Sequence, residues 1–376
     1  MSEKFELKTI LWTGGGTAGS VTPLLTVAKN LYLSTTVKKW RYFFVGTKNG
    51  PEKELVSELN QQKVAIKFLT LPAGKWRRYF SIKNFCDIFK IIKAFFLSFR
   101  ILIYTKADLI ISAGGFVSVP LVWAGAIKNI PILIHQQDLR PGLANKLMAP
   151  FARVVTVSFE KSLYDYGSKA IWIGNPVEID NKNFKNDYLN IKDKYNLDPH
   201  LPLLLVTGGV LGAKIINELM EQTKEKLKGQ CQIIHLTGQG KIIKDKDDNF
   251  YNSKFKYYQT FEKVSHQDFL NLLSLAKVVL SRCGLGSLTE LAAYHKAAIL
   301  IPIPRSHQED NASVFAKAKA AVVLNQNKIN ADILAQQIKE LLNNDHLRQS
   351  LQANIAKVMK KGAVDNFQNI IAEILA

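Results

Sequence analysis

Three glycine-rich segments follow apolar runs and precede helical patterns, and they are the stretches of this chain best suited to hold an anion. They are Gly14–Gly19, Gly208–Gly212 and Gly284–Gly286. Glycine lets the backbone turn tightly and approach a ligand, and the start of a helix presents unpaired N–H groups to negative charge. The pattern predicts phosphate-binding turns, with an ordinary strand-to-helix turn as the alternative for each segment.

The first segment has the spacing of a nucleotide-binding fingerprint, because Gly14, Gly16 and Gly19 form Gly-x-Gly-x-x-Gly. A dinucleotide site also needs an acidic residue about 20 residues further on, where the second strand ends. The predicted second strand is Arg41–Val45, and Gly46-Thr47 follows it without a carboxylate. NAD is therefore disfavoured, and a phosphate or a sugar is the ligand expected.

A carboxylate side chain follows the third glycine-rich segment. Ser287 is predicted to cap the helix that follows, and Glu290 lies three residues later, the spacing of a capping box. The functional alternative is that the two oxygens of Glu290 accept hydrogen bonds from the adjacent hydroxyls of a ribose. The polar loop Pro302–Ala312 follows the next strand and offers side chains that could bind a sugar, namely His307, Gln308, Glu309 and Asn311.

In the first half of the chain, the loop after the predicted strand Ile130–Ile134 carries candidate catalytic groups. We expect its polar side chains to point into the same site as the glycine-rich loops; they are His135, Gln136, Asp138 and Asn145. A lone histidine is more often a structural hydrogen-bonding residue than a base. Asp138 is therefore the better candidate for a general base.

The segment from Pro72 to Ile110 combines many lysines and arginines with aromatic side chains and only two aspartates, and the whole chain carries a net charge of +19. Basic residues among apolar ones are typical of a surface that binds an anionic membrane. The predicted membrane patch consists of Trp76, Arg77, Arg78, Tyr79 and Phe80. The alternatives are a core helix with a solvated basic face, and a nucleic-acid surface, which no recognised nucleic-acid module accompanies.

Strand and helix patterns alternate along the chain, which is typical of βαβ units with parallel sheets. The predicted strands are Thr9–Trp12, Tyr42–Val45, Ala65–Leu69, Leu109–Ser112, Ile130–Ile134 and Val154–Val157, then Leu203–Val206, Gln232–Leu236, Lys256–Gln259, Val278–Ser281, Ala298–Ile301 and Ala321–Leu324. The polar stretch Glu178–Asn196 separates the two series as a linker. The fold class expected is α/β, with two doubly wound Rossmann-like domains that face each other across a cleft.

We predict domain boundaries at 1–177 and 178–360, with a C-terminal helix at 361–376 that packs back on the first domain. The tail Asp332–Ala376 is predicted to be helical throughout. Leu109–Ile127 is uncharged, but glycines and a proline interrupt it, so a buried strand and helix are favoured over a membrane span.

Other features exclude further classes of protein. The charged N-terminus lacks the apolar region of a signal peptide. Cys86, Cys231 and Cys283 lack metal-ligand spacing and fit a reducing compartment as buried side chains. The sequence contains no zinc-ligand, Ser-His-Asp or Walker pattern.

Taken in order, these segments resemble the MurG family of peptidoglycan N-acetylglucosaminyltransferases, in glycosyltransferase family 28, which has the GT-B fold. The resemblance covers essentially the whole chain and also includes Ile111–Pro120, Gly142–Lys146 and Gly174–Val177. It implies transfer of N-acetylglucosamine from UDP-N-acetylglucosamine to lipid I, an undecaprenyl-diphosphate-muramoylpentapeptide. The product, lipid II, serves peptidoglycan synthesis, cell shape and cell division.

The resemblance also implies how and where the reaction proceeds. It implies a single inverting displacement that needs neither a metal nor another cofactor. The protein would bind peripherally at the cytoplasmic side of the cell membrane. The partners implied are UDP-N-acetylglucosamine, the undecaprenyl-linked acceptor and the anionic inner-leaflet surface, and not nucleic acid.

Roles follow by position from the same resemblance. Glu290 would bind the uridine ribose, and Gln308 with His307 would bind hydroxyls of the donor sugar. The other implied donor-binding positions are Thr17, Ala18, Asp138, Glu178, Val210, Cys283, Gly284, Leu285, Gly286 and Ser287. The glycines that would face the acceptor diphosphate are Gly14, Gly15, Gly16 and Gly19.

Four positions depart from the family pattern. Ser20 replaces a histidine proposed to act in catalysis, Asp138 an asparagine, Glu178 an arginine, and Val210 a serine that contacts phosphate. By its position Ser20 is still predicted to be a catalytic residue. A serine hydroxyl is, however, a poor general base at neutral pH. We therefore hypothesise that Asp138 accepts the proton of the acceptor hydroxyl.

Three other activities are compatible with these residues. One is a glycolipid synthase that uses another lipid acceptor, such as diacylglycerol. The second is a UDP-N-acetylglucosamine 2-epimerase on a similar two-domain fold, which would have no use for the basic aromatic segment Trp76–Phe96. The third is a non-catalytic relative that binds sugar nucleotides or membranes.

Overall fold

The apolar runs of the sequence form two parallel sheets in the computed structural model, which describes residues 7–16, 18–34, 40–74, 82–178, 191–209, 212–241 and 257–376. One compact unit contains Met1–Glu178 and Lys360–Ala376, and the other contains Ile179–Met359. The prediction of two α/β, Rossmann-like domains is confirmed, because each unit has a parallel sheet with helices between its strands.

The first unit is built on a seven-stranded sheet. Its strands are β1 (Thr9–Thr13), β2 (Arg41–Gly46), β3 (Ile66–Thr70), β4 (Leu109–Ser112), β5 (Ile132–Gln136), β6 (Val154–Val157) and β7 (Ala170–Trp172). Their order is β3-β2-β1-β4-β5-β6-β7, so the direction of winding reverses between β1 and β4. The helices of this unit are α1 (Ala18–Leu33), α2 (Pro51–Gln61), α3 (Ile82–Thr105), α4 (Ser118–Ile127), α5 (Leu143–Met148) and, from the end of the chain, α12 (Ala363–Leu375).

The second unit has a six-stranded sheet of the same kind. Its strands are β8 (Leu203–Thr207), β9 (Gln232–Leu236), β10 (Tyr258–Phe261), β11 (Val278–Ser281), β12 (Ala298–Leu300) and β13 (Val322–Val323). The order is β10-β9-β8-β11-β12-β13, with the reversal between β8 and β11. The helices are α6 (Lys214–Thr223), α7 (His266–Leu275), α8 (Leu285–Ala293), α9 (His307–Lys317), α10 (Ala331–Asn343) and α11 (Asp345–Val358).

The central strands are buried along their whole length. Every residue of β1, β4, β5, β8 and β11 is buried. Helices cover both faces of such a sheet, so its strands are nearly continuous apolar runs rather than alternating ones. The few polar residues of these strands lie mainly at their ends. They lead into the loops, which the sheets hold in position.

The uncharged stretch Leu109–Ile127 forms β4, a glycine turn and α4, as predicted. Seven of the ten residues of α4 are buried, which explains why the helix carries no charge. Within the described residues, none of the helices combines the length and apolarity needed to cross a bilayer.

The prediction that Asp332–Ala376 is helical throughout is wrong, since two breaks divide the tail into α10, α11 and α12. At the first break the side chain of Asn344 accepts a hydrogen bond from the Leu347 amide (3.0 Å) and starts α11. At the second, Gly362 has a φ of +69°, a conformation that favours glycine. The apolar side of α12 then packs in the core of the first unit, where Phe367 and Ile371 are fully buried.

Candidate functional site

In the first unit, the loops that follow β1 and β4 are in direct backbone contact. A Cβ atom on Gly115 would lie 2.6 Å from the carbonyl oxygen of Gly15, and the φ of Gly115 is +88°. Both observations require glycine at position 115. The reversal of strand order, where ligands bind in doubly wound sheets, is therefore the point where these two loops meet.

Ser20 lies in the first turn of α1, beside these loops. Its Oγ donates a hydrogen bond to the Gly15 carbonyl (3.4 Å), and its own carbonyl accepts one from Gln137 Nε2 (2.7 Å). Gln137 precedes Asp138 in the chain, so the structure brings the Ser20 turn and the Asp138 loop together. Sequence analysis missed Gln137, because an isolated glutamine in a polar loop gives no signal.

His135 does not point into this site. The ring is fully buried, with Nδ1 3.0 Å from Thr156 Oγ1 and Nε2 2.9 Å from Asn175 Oδ1. Burial lowers the pKa of His135 to about 4, so the imidazole is neutral at physiological pH. His135 is therefore a structural residue, because both ring nitrogens are used inside the unit.

Gln136 is also directed inward, contrary to the prediction that it faces the site, whereas Asn145 Oδ1 lies 2.8 Å from where a Cβ atom on Gly114 would be, beside the loop after β4. Gln136 Oε1 accepts hydrogen bonds from Asn145 Nδ2 (2.7 Å) and the Tyr166 hydroxyl (2.9 Å). Its Nε2 donates to the carbonyls of Asp138 (2.6 Å) and Arg140 (3.2 Å). The buried amide thus fixes the shape of the loop that carries Asp138, whose own side chain is partly exposed.

Glu178 forms an ion pair within the first unit. Its Oε1 lies 2.6 Å from Lys29 Nζ on α1, and both side chains are partly buried. The lysine therefore neutralises the carboxylate that stands where the resembling family has an arginine.

In the second unit, helix α8 begins with a glycine cap. Gly284 is the N-cap and no side chain closes the first turn, so the amides of Leu285, Gly286 and Ser287 begin the helix. The prediction that Ser287 is the N-cap is wrong, because it is the third residue of the helix. Capping by glycine leaves the first amides of α8 available to a ligand.

Glu290 lies one turn further along α8 with its carboxylate unpaired. Among the described residues none donates a hydrogen bond to it, and burial raises the pKa of its carboxyl from 4.5 to about 8. A partly buried carboxyl group with a raised pKa and free acceptor atoms is typical of a ligand site. Hydroxyl donors from a ligand would stabilise its ionised form.

Gln308 is held by its amide oxygen, and none of the described residues accepts a hydrogen bond from its amide nitrogen. Its Oε1 accepts hydrogen bonds from the Cys283 and Ile303 amides, both at 3.2 Å. Its Nε2 lies beside Gly284, 4.0 Å from where a Cβ atom would be. The N–H groups of this side chain can therefore donate to a hydroxyl or carbonyl oxygen near the start of α8.

The predicted polar loop Pro302–Ala312 is helical from His307 onward. The Ser306 hydroxyl caps α9, and Glu309 accepts a hydrogen bond from the Arg305 amide (2.9 Å). Asn311 is fully buried and donates to the Cys283 carbonyl (3.3 Å). Asn311 and Glu309 therefore support the turn, and His307, exposed at the first position of α9, stays a predicted sugar contact.

Arg282 is a further residue at this site that sequence analysis missed. It is 8% exposed, its Nη1 donates to the Ile301 carbonyl (2.9 Å), and its buried Nε has no partner in the part of the chain that the structure describes. Desolvation lowers the pKa of its guanidinium. This residue joins the ends of β11 and β12, and a lone arginine after a strand gives no signal of such a role.

The loop after β8 needs its glycines. A Cβ atom on Gly212 would lie 1.9 Å from the Thr237 carbonyl oxygen, and one on Gly208 would lie 2.2 Å from the Ala213 amide nitrogen. Close approach of the backbone therefore requires glycine at positions 208 and 212. Both cysteines with described side chains, Cys231 and Cys283, are buried as predicted.

Several predicted positions lie outside the described residues. They are Thr17, Val210 and the membrane patch Trp76, Arg77, Arg78, Tyr79 and Phe80, together with the side chains of Ala18 and Cys86. In the part of the chain that the structure describes, no three His, Cys, Asp or Glu residues are grouped as metal ligands would be.

Helix α3 exposes an apolar stripe, which we call the α3 surface. Its exposed apolar side chains are Ile88, Phe89, Ile92, Phe96, Ile103 and Tyr104. Their spacing of three, four and seven residues places most of them along one side of the helix. Exposed cations accompany them, namely Lys90, Lys93, Arg100 and Lys106. Exposed apolar patches with polar rims usually mark interaction surfaces.

Comparisons with known proteins agree over both units. Residues 10–157 match the Glycosyltransferase family 28 N-terminal domain, and residues 203–369 match the corresponding C-terminal domain. A Clostridium perfringens protein named UDP-N-acetylglucosamine--N-acetylmuramyl-(pentapeptide) pyrophosphoryl-undecaprenol N-acetylglucosamine transferase is 36% identical over 372 residues, covering 97% of each chain. A Clostridium botulinum protein of the same name is 34% identical, over 98% of this chain and 99% of its own.

Solved structures show the same fold. MurG from Acinetobacter baumannii superposes with a TM-score of 0.71 at 24% identity, over 97% of this chain and 99% of its own. UDP-GlcNAc 2-epimerase from Neisseria meningitidis also reaches 0.71, at 11% identity, over 97% of this chain and 100% of its own. At these identities the structural likeness establishes the fold alone.

The raised pKa of Glu290 predicts a specific effect on stability. Between pH 4.5, the ordinary value, and about pH 8, the folded chain holds a proton on Glu290 that the unfolded chain releases. The free energy of unfolding therefore falls as pH rises through this range. We expect Glu290→Gln to raise the melting temperature at pH 8 and to have little effect near pH 4.5, as measured by calorimetry. The exposed Glu225→Gln is the control, and an equal gain in both variants would contradict the prediction.

Proposed function

This chain belongs to glycosyltransferase family 28, and on that premise we propose that it transfers N-acetylglucosamine from UDP-N-acetylglucosamine to undecaprenyl-diphosphate-muramoylpentapeptide, as the Clostridium transferases do by their name. The observation that carries the proposal is 36% identity to such an enzyme over 97% of both chains. The product would be lipid II of peptidoglycan synthesis.

The second unit would bind the donor. The amides at the start of α8 carry partial positive charge, which stabilises an anion. We therefore propose that the donor diphosphate binds beside them. Glu290 would accept hydrogen bonds from both ribose hydroxyls, and Gln308 Nε2 would donate to a sugar hydroxyl. Ribose binding would favour the ionised carboxylate, so a proton would leave Glu290 as UDP binds near neutral pH.

The first unit would bind the acceptor. The loop Gly14–Gly16 would face the lipid diphosphate, with Ser20 and Asp138 beside it. The acceptor hydroxyl oxygen would attack the anomeric carbon as the bond to the UDP oxygen breaks, and Asp138 would take the hydroxyl proton. The resemblance places Glu178 at a donor-binding position. Its ion pair with Lys29 would neutralise the carboxylate and so allow it to lie near a phosphate group.

The α3 surface would bind the membrane that holds the acceptor. Exposed phenylalanines and isoleucines would enter the interfacial region, and the lysines around them would meet anionic headgroups. We therefore propose peripheral binding at the cytoplasmic face, where UDP-sugars are available.

The transferase activity predicts UDP release that depends on the lipid acceptor. The protein incubated with UDP-N-acetylglucosamine should release UDP when lipid I is added and not without it, and Glu290→Gln should lower kcat/KM about 10- to 100-fold by removing a charged hydrogen bond. Conversion of the donor to a manno-sugar without acceptor would instead identify an epimerase. UDP release with diacylglycerol, but not with lipid I, would identify a glycolipid synthase.

The role of Asp138 as general base predicts a large effect of one isosteric change. Asp138→Asn should lower kcat by about 10²- to 10⁴-fold, because the amide cannot accept the proton. The affinity for UDP, measured by calorimetry, and the melting temperature should stay as in the wild type. Full turnover in this variant would show that another group acts as the base.

Membrane binding should depend on the α3 surface. Phe96 is 65% exposed, and burial of a phenylalanine side chain contributes about 1.5–3 kcal/mol. Phe96→Ser should therefore weaken binding to vesicles containing phosphatidylglycerol by about tenfold or more in a sedimentation assay. Tyr164→Ser, at a side chain that is 92% exposed elsewhere in the unit, is the control. Equal loss in both variants would exclude a specific α3 surface.

A further inference from the structure

Glu52 is a fully buried carboxylate beneath the glycine-rich loop of the first unit. It is the second residue of α2, and its side chain fills the space beside three glycines. A Cβ atom on Gly46 would lie 2.5 Å from Glu52 Cγ, one on Gly50 2.3 Å from both carboxylate oxygens, and one on Gly15 3.1 Å from Oε1. Glycines from two separate loops therefore form the walls around this one side chain.

The hydrogen bonds of Glu52 are unevenly shared. Oε1 accepts from both the amide and the hydroxyl of Thr47, each at 2.6 Å, whereas Oε2 is buried without a partner among the described residues. A buried acceptor without a donor is costly. The turn before α2 uses only one of the two oxygens of this side chain.

The Glu52 side chain also lies beside Gly15. A Cβ atom on Gly15 would be 3.1 Å from Glu52 Oε1 and 3.2 Å from Val117 Cγ1, so both side chains border this residue. Val117 comes from the turn after β4, and Glu52 comes from the turn after β2. The oxygen that binds Thr47 therefore also borders Gly15, and Glu52 links the turn after β2 to the glycine-rich loop.

We propose that Glu52 is a positioning residue for the transfer reaction, which holds the Gly14–Gly16 loop in the shape that receives the acceptor diphosphate. The effect on the transfer reaction rests on the proposed function. The effect on the loop, which removal of the Glu52 side chain should loosen, does not depend on that function. Glu52 acts through Gly15 and does not touch the substrate.

Two variants separate positioning from a merely structural role. Glu52→Ala removes the wall beside Gly15 and the acceptor for Thr47. Glu52→Gln keeps the shape and one oxygen for Thr47, so it should rescue the loop. Glu54→Ala, at an exposed acid in the same first turn of α2, is the matched control.

The first measurement is hydrogen exchange of the peptide segment that contains Gly14–Gly16. Exchange should be faster in Glu52→Ala than in the wild type, Glu52→Gln and Glu54→Ala. If the segment exchanges equally in Glu52→Ala and the wild type, the inference is wrong. This measurement decides the matter even if the wild type fails to use a lipid acceptor, an outcome that would contradict only the proposed function.

The second measurement compares the two substrates. In Glu52→Ala we expect the KM for lipid I to rise about tenfold, since small displacements of a positioned group are costly. The affinity for UDP should be unchanged, because the proposed diphosphate and ribose contacts lie on α8 in the second unit, which Glu52 does not touch. Glu52→Gln should keep the wild-type KM for lipid I, whereas loss in both variants alike would overturn positioning through shape.

Discussion

The contact between the backbones of Gly15 and Gly115 is the constraint on which the first unit depends. Two adjacent strands, β1 and β4, end at the same edge of the sheet, and the chain leaves them in opposite directions. The following turns must then pass each other with the Gly15 carbonyl so close to Gly115 that no Cβ atom fits. Everything that surrounds the proposed acceptor site, including Ser20 and Glu52, is arranged around these two glycines.

The second unit solves the same topological problem and adds an energetic cost. Among the described residues, Glu290 lies partly buried without a donor, and Arg282 is buried with its Nε unpaired. Such groups lower stability in the absence of a ligand, because desolvation is not offset by hydrogen bonds. They are consistent with a site whose polar groups are satisfied when a ligand is bound, and activity and stability therefore make opposing demands on α8.

The sequence predicted the fold class and the positions of the central strands, because those strands are apolar runs of four or five residues that are buried along their whole length. It missed β7, an apolar strand of only three residues, none of which is buried. The direction of polar side chains was harder to predict. His135 and Gln136 have the same residue types as ligand-binding groups, but they bind Thr156, Asn175 and Tyr166, which are distant in sequence. The assignment of Ser287 as N-cap was wrong because Gly284 already caps the helix without a side chain.

The return of α12 to the first unit determines the order in which the chain can fold during synthesis. The second unit is one continuous segment, Ile179–Met359, and its core is complete once that segment has left the ribosome. The core of the first unit contains Phe367, Ile370 and Ile371, which are synthesised after that segment. Domains generally fold as units while synthesis proceeds. The core of the first unit is therefore completed only after the second unit, and its apolar residues lack the cover of α12 until then.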